Sequence, residues 1–359
     1  MANYIVAAIV VALAFGLFLA IGYIGCASYL KYYSGPVSNH FDGKRFFDPN
    51  SPNQAGCAFS AILRWRLTSR PKPWPKKLEN QLMDIPPARV EGGELRISFV
   101  GHATMLIQTA GLNILTDPLW SERASPFSWM GPKRVISPGI DFENLPKIDL
   151  VLISHNHYDH LDIPTIRRLW KEHKPKIIVP LGNDAVIRSY DKQIQVKCYD
   201  WEDQISITDG VTLSLEPMQH WSARGIFDKN KALWAAYVLD TPGGKIYFAG
   251  DTGYGEGEYF RQIQKKHGRF RLAILPIGAY EPRWFMQKVH ISPKEAVLAY
   301  QDLNASFAVA HHFGTFQLAD DGYDDPIINL KRALADQEIT ADRFLTMKVG
   351  EHFFVPMEK

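Results

Sequence analysis

Apolar positions open the chain without interruption: from Ile5 to Leu30 no residue is charged. At 1.5 Å per residue a helix of this length spans about 39 Å, enough to cross a bilayer with tilt, so residues 1–30 are predicted to form one membrane anchor. The run is too long for the core of a cleaved signal peptide, and the preceding "MANY" lacks the basic residues of one. "YIGC" ahead of Ala27 keeps lipidation at Cys26 open, and Lys31, Lys44 and Arg45 are too few to fix which side of the membrane the chain faces. Residues 31–92 then read as a connecting arm, because "SRPKPWPKK" (69–77) suits extended polyproline II and excludes a helix or a central strand.

From residue 93 the pattern becomes regular. "LRISFV", "TMLIQTA" and "LNILTD" are short strand-like runs split by Gly101 and Gly111, as in an antiparallel meander. Further strands are predicted at "DLVLIS", "KIIVP" (176–180), "KIYFAG" (245–250), "LAILPI" (272–277) and "FAVAH" (307–311). Helix-like segments at 163–173, 258–267 and 292–302 go with them, the last opening on Ser292 and Pro293 at cap and first-turn positions. The pattern predicts an α/β domain over 93–357, with mixed sheets covered by helices.

Composition narrows the chemistry. A chain of 359 residues with 46% hydrophobic content and a formal net charge of +2 can bury a full core and has no charge excess that argues for nucleic acid. Cys26, Cys57 and Cys198 form no C-x-x-C pair, so any metal must be held by the histidines. "HNHYDH" (155–160) places three of the twelve histidines in one turn after the buried run "DLVLIS", at the carboxyl end of a strand, where open sheets hold their ligands. His155 and His157 can converge on one ion from an extended backbone, while Asp159 and His160 point elsewhere. Four ligand groups in six residues exceed what one catalytic zinc takes, which suggests a pair of metals. His220 in "EPMQHW", Asp251 in "FAGDTG" and His312 beside His311 in "AHHFGTF" end other predicted strands and could face the same crevice. The glycines of "GDTGYGEG" lack the spacing of a phosphate loop and read as letting the backbone bend closely around Asp251.

This series of motifs, with "TDP" at 116–118, resembles the metallo-β-lactamase superfamily. Within it, "GHATMLIQTAGLNILTDPLWSERASP", "LISHNHYDHLD", "FAGDTGY" and above all "PIGAYEPRWFM" are similar to the N-acylphosphatidylethanolamine-hydrolysing phospholipase D group. "NHFDGKRFFDP" (39–49) resembles the leader of bacterial members. The resemblance implies an αββα sandwich, preceded here by the anchor, and two zinc ions. One would be held by His155, His157 and His220, the other by Asp159, His160 and His312, with Asp251 bridging. Asp117 would orient the ligand loop from behind. Val289 stands where the group has a polar residue near its pocket.

The resemblance also implies hydrolysis of a membrane phospholipid to N-acylethanolamine and phosphatidate. Two zinc ions, Asp159, Asp251 and a bridging hydroxide sum to about +1, which suits an anionic phosphodiester. His290 is a candidate acid or head-group contact. Tyr158, Trp284, Phe285 and Met286 are candidate substrate contacts, and Lys133, Arg134 and Arg283 candidate phosphate contacts. Alternatives are another binuclear hydrolase acting on a lactone, thioester or cyclic phosphodiester, and a noncatalytic metal-binding membrane protein. Iron or manganese would also suit the donor set. The oligomeric state is open, a homodimer being one option.

Overall fold

The computed structural model describes residues 30–51, 59–225 and 227–357, so the predicted anchor, apart from Leu30, lies outside the described residues. Among the described residues no helix is long and apolar enough to cross a membrane. In chain order the elements begin with helix α1 (Phe59–Thr68) and strands β1 (Leu95–Gly101), β2 (Thr104–Thr109), β3 (Leu112–Thr116) and β4 (Leu150–Leu152). Helix α2 (Ile163–Glu172), β5 (Lys176–Pro180), helix α3 (Asn183–Tyr190) and β6 (Val196–Tyr199) follow. Next come β7 (Gln204–Thr208), β8 (Val211–Glu216), β9 (Ala236–Thr241), β10 (Gly244–Phe248), helix α4 (Glu258–His267) and β11 (Phe270–Pro276). The chain closes with α5 (Arg283–Met286), α6 (Pro293–Asp302), β12 (Ala305–His311), α7 (Asp325–Asp336), β13 (Phe344–Leu345) and β14 (His352–Phe354).

The strands make two seven-stranded mixed sheets, ordered β14-β1-β2-β3-β4-β5-β6 and β13-β12-β11-β10-β9-β8-β7. In the first, β1 to β3 form the expected antiparallel meander and β3 to β6 run parallel. In the second, β7 to β10 are antiparallel and β10 to β13 parallel. Alternation along the strands explains the layering. Ile97, Met105, Ile107, Ile114, Leu150 and Leu152 belong to the large core that includes Leu213, Leu239 and Phe248 of the second sheet. Their neighbours Leu106, Leu115, Val151 and Ile177 pack in a second core with Ile166 and Leu169 of α2 and Val186 and Ile187 of α3. A strand buried on both faces cannot alternate polar and apolar, which is why "DLVLIS" reads as one apolar run. The result is an αββα arrangement.

Helix α6 starts where its cap residues predict: the Ser292 side chain accepts from Glu295 N and the Glu295 side chain accepts from Ser292 N at 2.7 Å. Such a capping box satisfies two otherwise orphaned donors.

The arm differs from a spacer. Phe41 and Phe46 are each 1% exposed and belong to the main core, with ring centroids 4.6 Å apart. Burying an aromatic ring this completely contributes about 2–3 kcal/mol, so this stretch is an integral part of the folded unit. Residues 59–68 are helical, and 69–77 have no regular structure, as their prolines require. Helix α1 lacks a prediction because its docking depends on distant residues: Asp320 Oδ1 accepts from Trp65 Nε1 at 3.1 Å and from Ser69 Oγ at 2.6 Å.

Candidate metal centre

Every predicted ligand lies just beyond the carboxyl end of a strand, so the two sheets deliver them to one end of the sandwich: His155 to His160 after β4, His220 after β8, Asp251 after β10 and His312 after β12. The ligand loop is a tight turn closed by His160 N and Leu161 N donating to His157 O at 3.1 and 2.9 Å. Gly250 brings Asp251 in. At φ 60°, its added Cβ would lie 2.5 Å from Ser154 Cβ, and one on Gly253 would lie 2.5 Å from Lys288 O. These two glycines therefore serve close backbone approach, as the sequence implied.

His155, His157 and His220 form one group whose ring nitrogens could share an ion. His155 Nε2 lies 2.7 Å from His157 Nδ1, and His220 Nε2 lies 3.4 Å from the same atom. Hydrogen bonds on the far sides of the rings decide the tautomers. His220 Nδ1 donates to Val289 O at 2.9 Å, which leaves the Nε2 lone pair facing inward. Ser154 Oγ donates to Asp117 Oδ2 at 2.6 Å and so can accept from His155 Nδ1 at 2.9 Å. The same Asp117 oxygen accepts from His160 Nδ1 at 2.7 Å, while Asp117 Oδ1 accepts from Ser154 N. Asp117 and Ser154 thus orient two rings with their Nε2 atoms toward the centre. Ser154 had no signal of its own.

A second group comprises Asp159, His160, His312 and, unforeseen, His102. Asp251 adjoins both groups. Its Oδ2 lies 3.0 Å from His160 Nε2 and 3.1 Å from His312 Nε2, and it clusters separately with His155 and His160. His312 Nε2 is also 3.2 Å from Asp159 Oδ2. Its neighbour His311 is fully buried, with its ring 5.4 Å from Phe248, and takes no place in either group. His102 Nε2 donates to Asp159 Oδ2 at 2.9 Å, and its main chain is tied to the far ligand loop by His312 N donating to His102 O. His102, Asp117 and His312 all hold positive φ, at 57°, 37° and 61°. Non-glycine residues hold such angles only where surrounding structure enforces them, a pattern that clusters at functional sites.

Electrostatics show what the donors require. Burial, reinforced by neighbouring rings, pushes His155 well below the usual imidazole range. Burial likewise brings His157 to about 4 and His102 to about 3, and holds His220 well below its ordinary value. These rings are neutral donors. Burial opposes charge on His160 and His312 too, yet Asp251 and Asp159 outweigh it, raising His160 well above and His312 to about 9. The two carboxylates thus demand positive charge. His157 Nε2, His160 Nε2 and Asp251 Oδ1 are buried without hydrogen-bond partners. Converging lone pairs, orphaned polar atoms and buried anions fit divalent metal, which would supply the charge that now only protons provide.

A pocket of about 330 Å³ opens over the centre, lined by His157, Tyr158, Asp159, Asp251 and His290 and walled by Trp65, Trp221, Phe285, Met286, Val289 and Leu318. Three of the four predicted substrate contacts line it. Trp284 does not: it is 43% exposed, with the Arg64 guanidinium 4.4 Å from its ring. His290 Nδ1 lies 3.8 Å from Asp251 Oδ2, and burial lowers its pKa to about 4, so the ring is neutral near pH 7. None of the predicted phosphate contacts lines the pocket. Arg283 grips Glu295 at 2.9 and 2.7 Å, Arg134 donates to the carbonyls of Ser121, Leu119 and Ile136, and Lys133 pairs with Glu122. Backbone carbonyls hold Arg134 and a half-buried carboxylate holds Arg283 for the scaffold, while Lys133 sits in an exposed surface pair. Ile62 and Trp65 of α1 are pocket residues that no sequence signal identified.

Residues 112–313 match the beta-lactamase superfamily domain. The N-acyl-phosphatidylethanolamine-hydrolyzing phospholipase D 1 of Caenorhabditis elegans is 36% identical over 264 residues, which is 71% of this chain and 74% of that one. An uncharacterized protein of Mycobacterium bovis is 38% identical over 256 residues, 70% of this chain and 67% of its own. Among solved structures, a metallo hydrolase from the archaeon Ignicoccus hospitalis shares the fold, with a TM-score of 0.55 at 20% identity, covering 74% of this chain and all of that one.

Proposed function

The chain belongs to the β-lactamase superfamily, and on that premise we propose that it is a zinc-dependent phosphodiesterase of phospholipase D type. Its substrates would be N-acylphosphatidylethanolamine-like lipids, split into N-acylethanolamine and phosphatidate. One observation carries the reading. The pocket walls are aromatic and aliphatic, and no lysine or arginine is among the described residues lining it, so an anionic phosphodiester with acyl chains would meet grease at the walls and cation charge only at the metal.

His155, His157 and His220 would hold one ion and Asp159, His160 and His312 the other, with Asp251 shared between them. Bound zinc would supply a water of lowered pKa and polarise the phosphoryl oxygens. Asp117 and Ser154 keep the ligand tautomers in place. His290, neutral at the pocket floor, would position the head group through a hydrogen bond and not serve as a standing acid. Tyr158, Phe285 and Met286 would pack on the lipid and exclude water.

Purifying the full chain in detergent, counting metals, and assaying N-acylphosphatidylethanolamine beside a generic phosphodiester and a lactone tests this. About two zinc ions per chain with phosphatidate released support it. Metal with turnover of the other substrates alone removes the lipid assignment. An anchor over residues 1–30 would keep the enzyme on its substrate membrane, and carbonate-resistant membrane association that disappears when those residues are removed checks that part.

A further inference from the structure

Helix α1 has two working faces. Inward, Ile62 and Trp65, one turn apart, line the pocket over the metal centre, and the Trp65 ring stacks on Phe285 with centroids 5.0 Å apart. Outward, Leu63 and Leu67, also one turn apart, are 48% and 77% exposed. Single exposed leucines are ordinary on protein surfaces. This stripe differs in what surrounds it. From Phe59 to Lys77 the chain carries Arg64, Arg66, Arg70, Lys72, Lys76 and Lys77, all exposed, and no carboxylate. Lys72 pairs with Asp325 of α7 at 2.6 Å, while Arg64 and Arg66 of the helix face no carboxylate of their own stretch. Apolar residues on one side of a short helix flanked by such cations form the pattern that lies in the interface of an anionic bilayer.

The chain's other approach reaches the same mouth. Tyr32, two residues after the uncharged run from Ile5 to Leu30, donates to Asp228 Oδ2 at 2.6 Å. Asp228 also accepts from Arg224 N and Gly225 N, and the Arg224 guanidinium sits 3.8 Å from the ring of Tyr158, a pocket residue. Phe227 of that loop is 51% exposed. Helix α1 therefore lines the pocket directly, and the exit of the apolar segment is linked to its residue Tyr158 through Asp228 and Arg224.

We propose that α1 is an interfacial helix whose outer leucines enter an anionic bilayer while its inner face forms the pocket wall, so that docking sets the metal cleft directly against the lipid surface. Asp320 holds the carboxyl end of the helix in place through Trp65, Ser69 and Arg70 N, so the docked helix carries the domain with it. The inference rests on the lipid reading for its purpose, but its test reads bilayer contact without turnover, so either can fail alone.

The full chain, with Cys26, Cys57 and Cys198 replaced by serine, is placed in bilayer discs of phosphatidylcholine with or without phosphatidylglycerol. An environment-sensitive fluorophore is attached through Leu67→Cys or, as a control on α7, Ile328→Cys. The probe at 67 is expected to shift to the blue and to lose several-fold in emission when the lipids carry brominated acyl chains, more strongly with phosphatidylglycerol. Arg64→Glu with Arg66→Glu should remove that preference, and the probe at 328 should stay water-like. In the unsubstituted chain, amide exchange over 59–68 should slow in discs containing phosphatidylglycerol. A water-like probe at 67, equal responses at 67 and 328, or shielding at 67 without quenching by brominated chains, the mark of a protein partner, would each overturn the proposal.

Discussion

The two halves of the metal centre are built on different principles. The half formed by His155, His157 and His220 is all imidazole, and its rings are held neutral by burial and by each other. The half formed by Asp159, His160 and His312 contains a partly buried carboxylate, leans on the buried Asp251, and draws positive charge onto two of its histidines. Without metal the first half is merely unsatisfied, whereas the second is an ion-pair network in which protons stand in for the cation. Sites of similar donor count can therefore differ sharply in how they tolerate an empty state.

The largest effect is expected where the halves meet. Asp251→Asn should lower turnover by roughly a thousandfold or more and reduce metal content in both halves, with circular dichroism unchanged. If one half kept its metal and most activity, Asp251 would not be shared. The asymmetry itself is tested in metal-free protein. His312→Ala takes a protonated ring from Asp159 and Asp251, leaving them to His102 and His160, and should destabilise by about 3 kcal/mol, seen in thermal melts, whereas His220→Ala removes a neutral ring and should cost clearly less. Equal losses would erase the distinction.

A smaller change is expected at His102, which reaches the centre through Asp159. His102→Ala should weaken metal binding about 10–100-fold in competition with a chelator, while His102→Gln, which keeps a donor, recovers part of it. No change in affinity would make His102 a structural residue.

The smallest effect concerns pH. His157 and His290, held at about 4, refuse protons that unfolded imidazoles accept below about 6.5, so metal-free stability should fall as pH drops from about 6.5 toward 4. His312, raised to about 9, acts oppositely: its contribution is full below about 6.5 and is lost as pH rises through 9. Melting temperature against pH should thus show two limbs. His157→Ala should soften the acid limb and His312→Ala the alkaline one, and a flat profile would contradict both assignments.

Legibility followed locality. "HNHYDH" announced a metal turn because its ligands lie within six residues, and the core strands were readable because burial on both faces leaves no polar positions. His102 was not readable, since one histidine after a glycine carries no spacing; only the main-chain tie to His312 brings it to Asp159. Arg283 and Arg134 looked like free cations until Glu295 and three carbonyls proved to hold them. Trp284 shares "RWFM" with two pocket residues, yet the short helix α5 turns it outward toward Arg64.

The sequence by itself determined which residue types could bind metal, that they end strands, and that an apolar run of membrane length precedes them. Those properties are set by neighbours in the chain: periodicity, capping and ligand spacing. Only the tertiary structure decided which ligands share an ion, which tautomers they present, and that a helix of the arm walls the pocket. Each of those depends on contacts between residues far apart in the chain, such as Asp117 with His160 or Trp65 with Asp320, and such pairings are selected by packing the whole molecule at once.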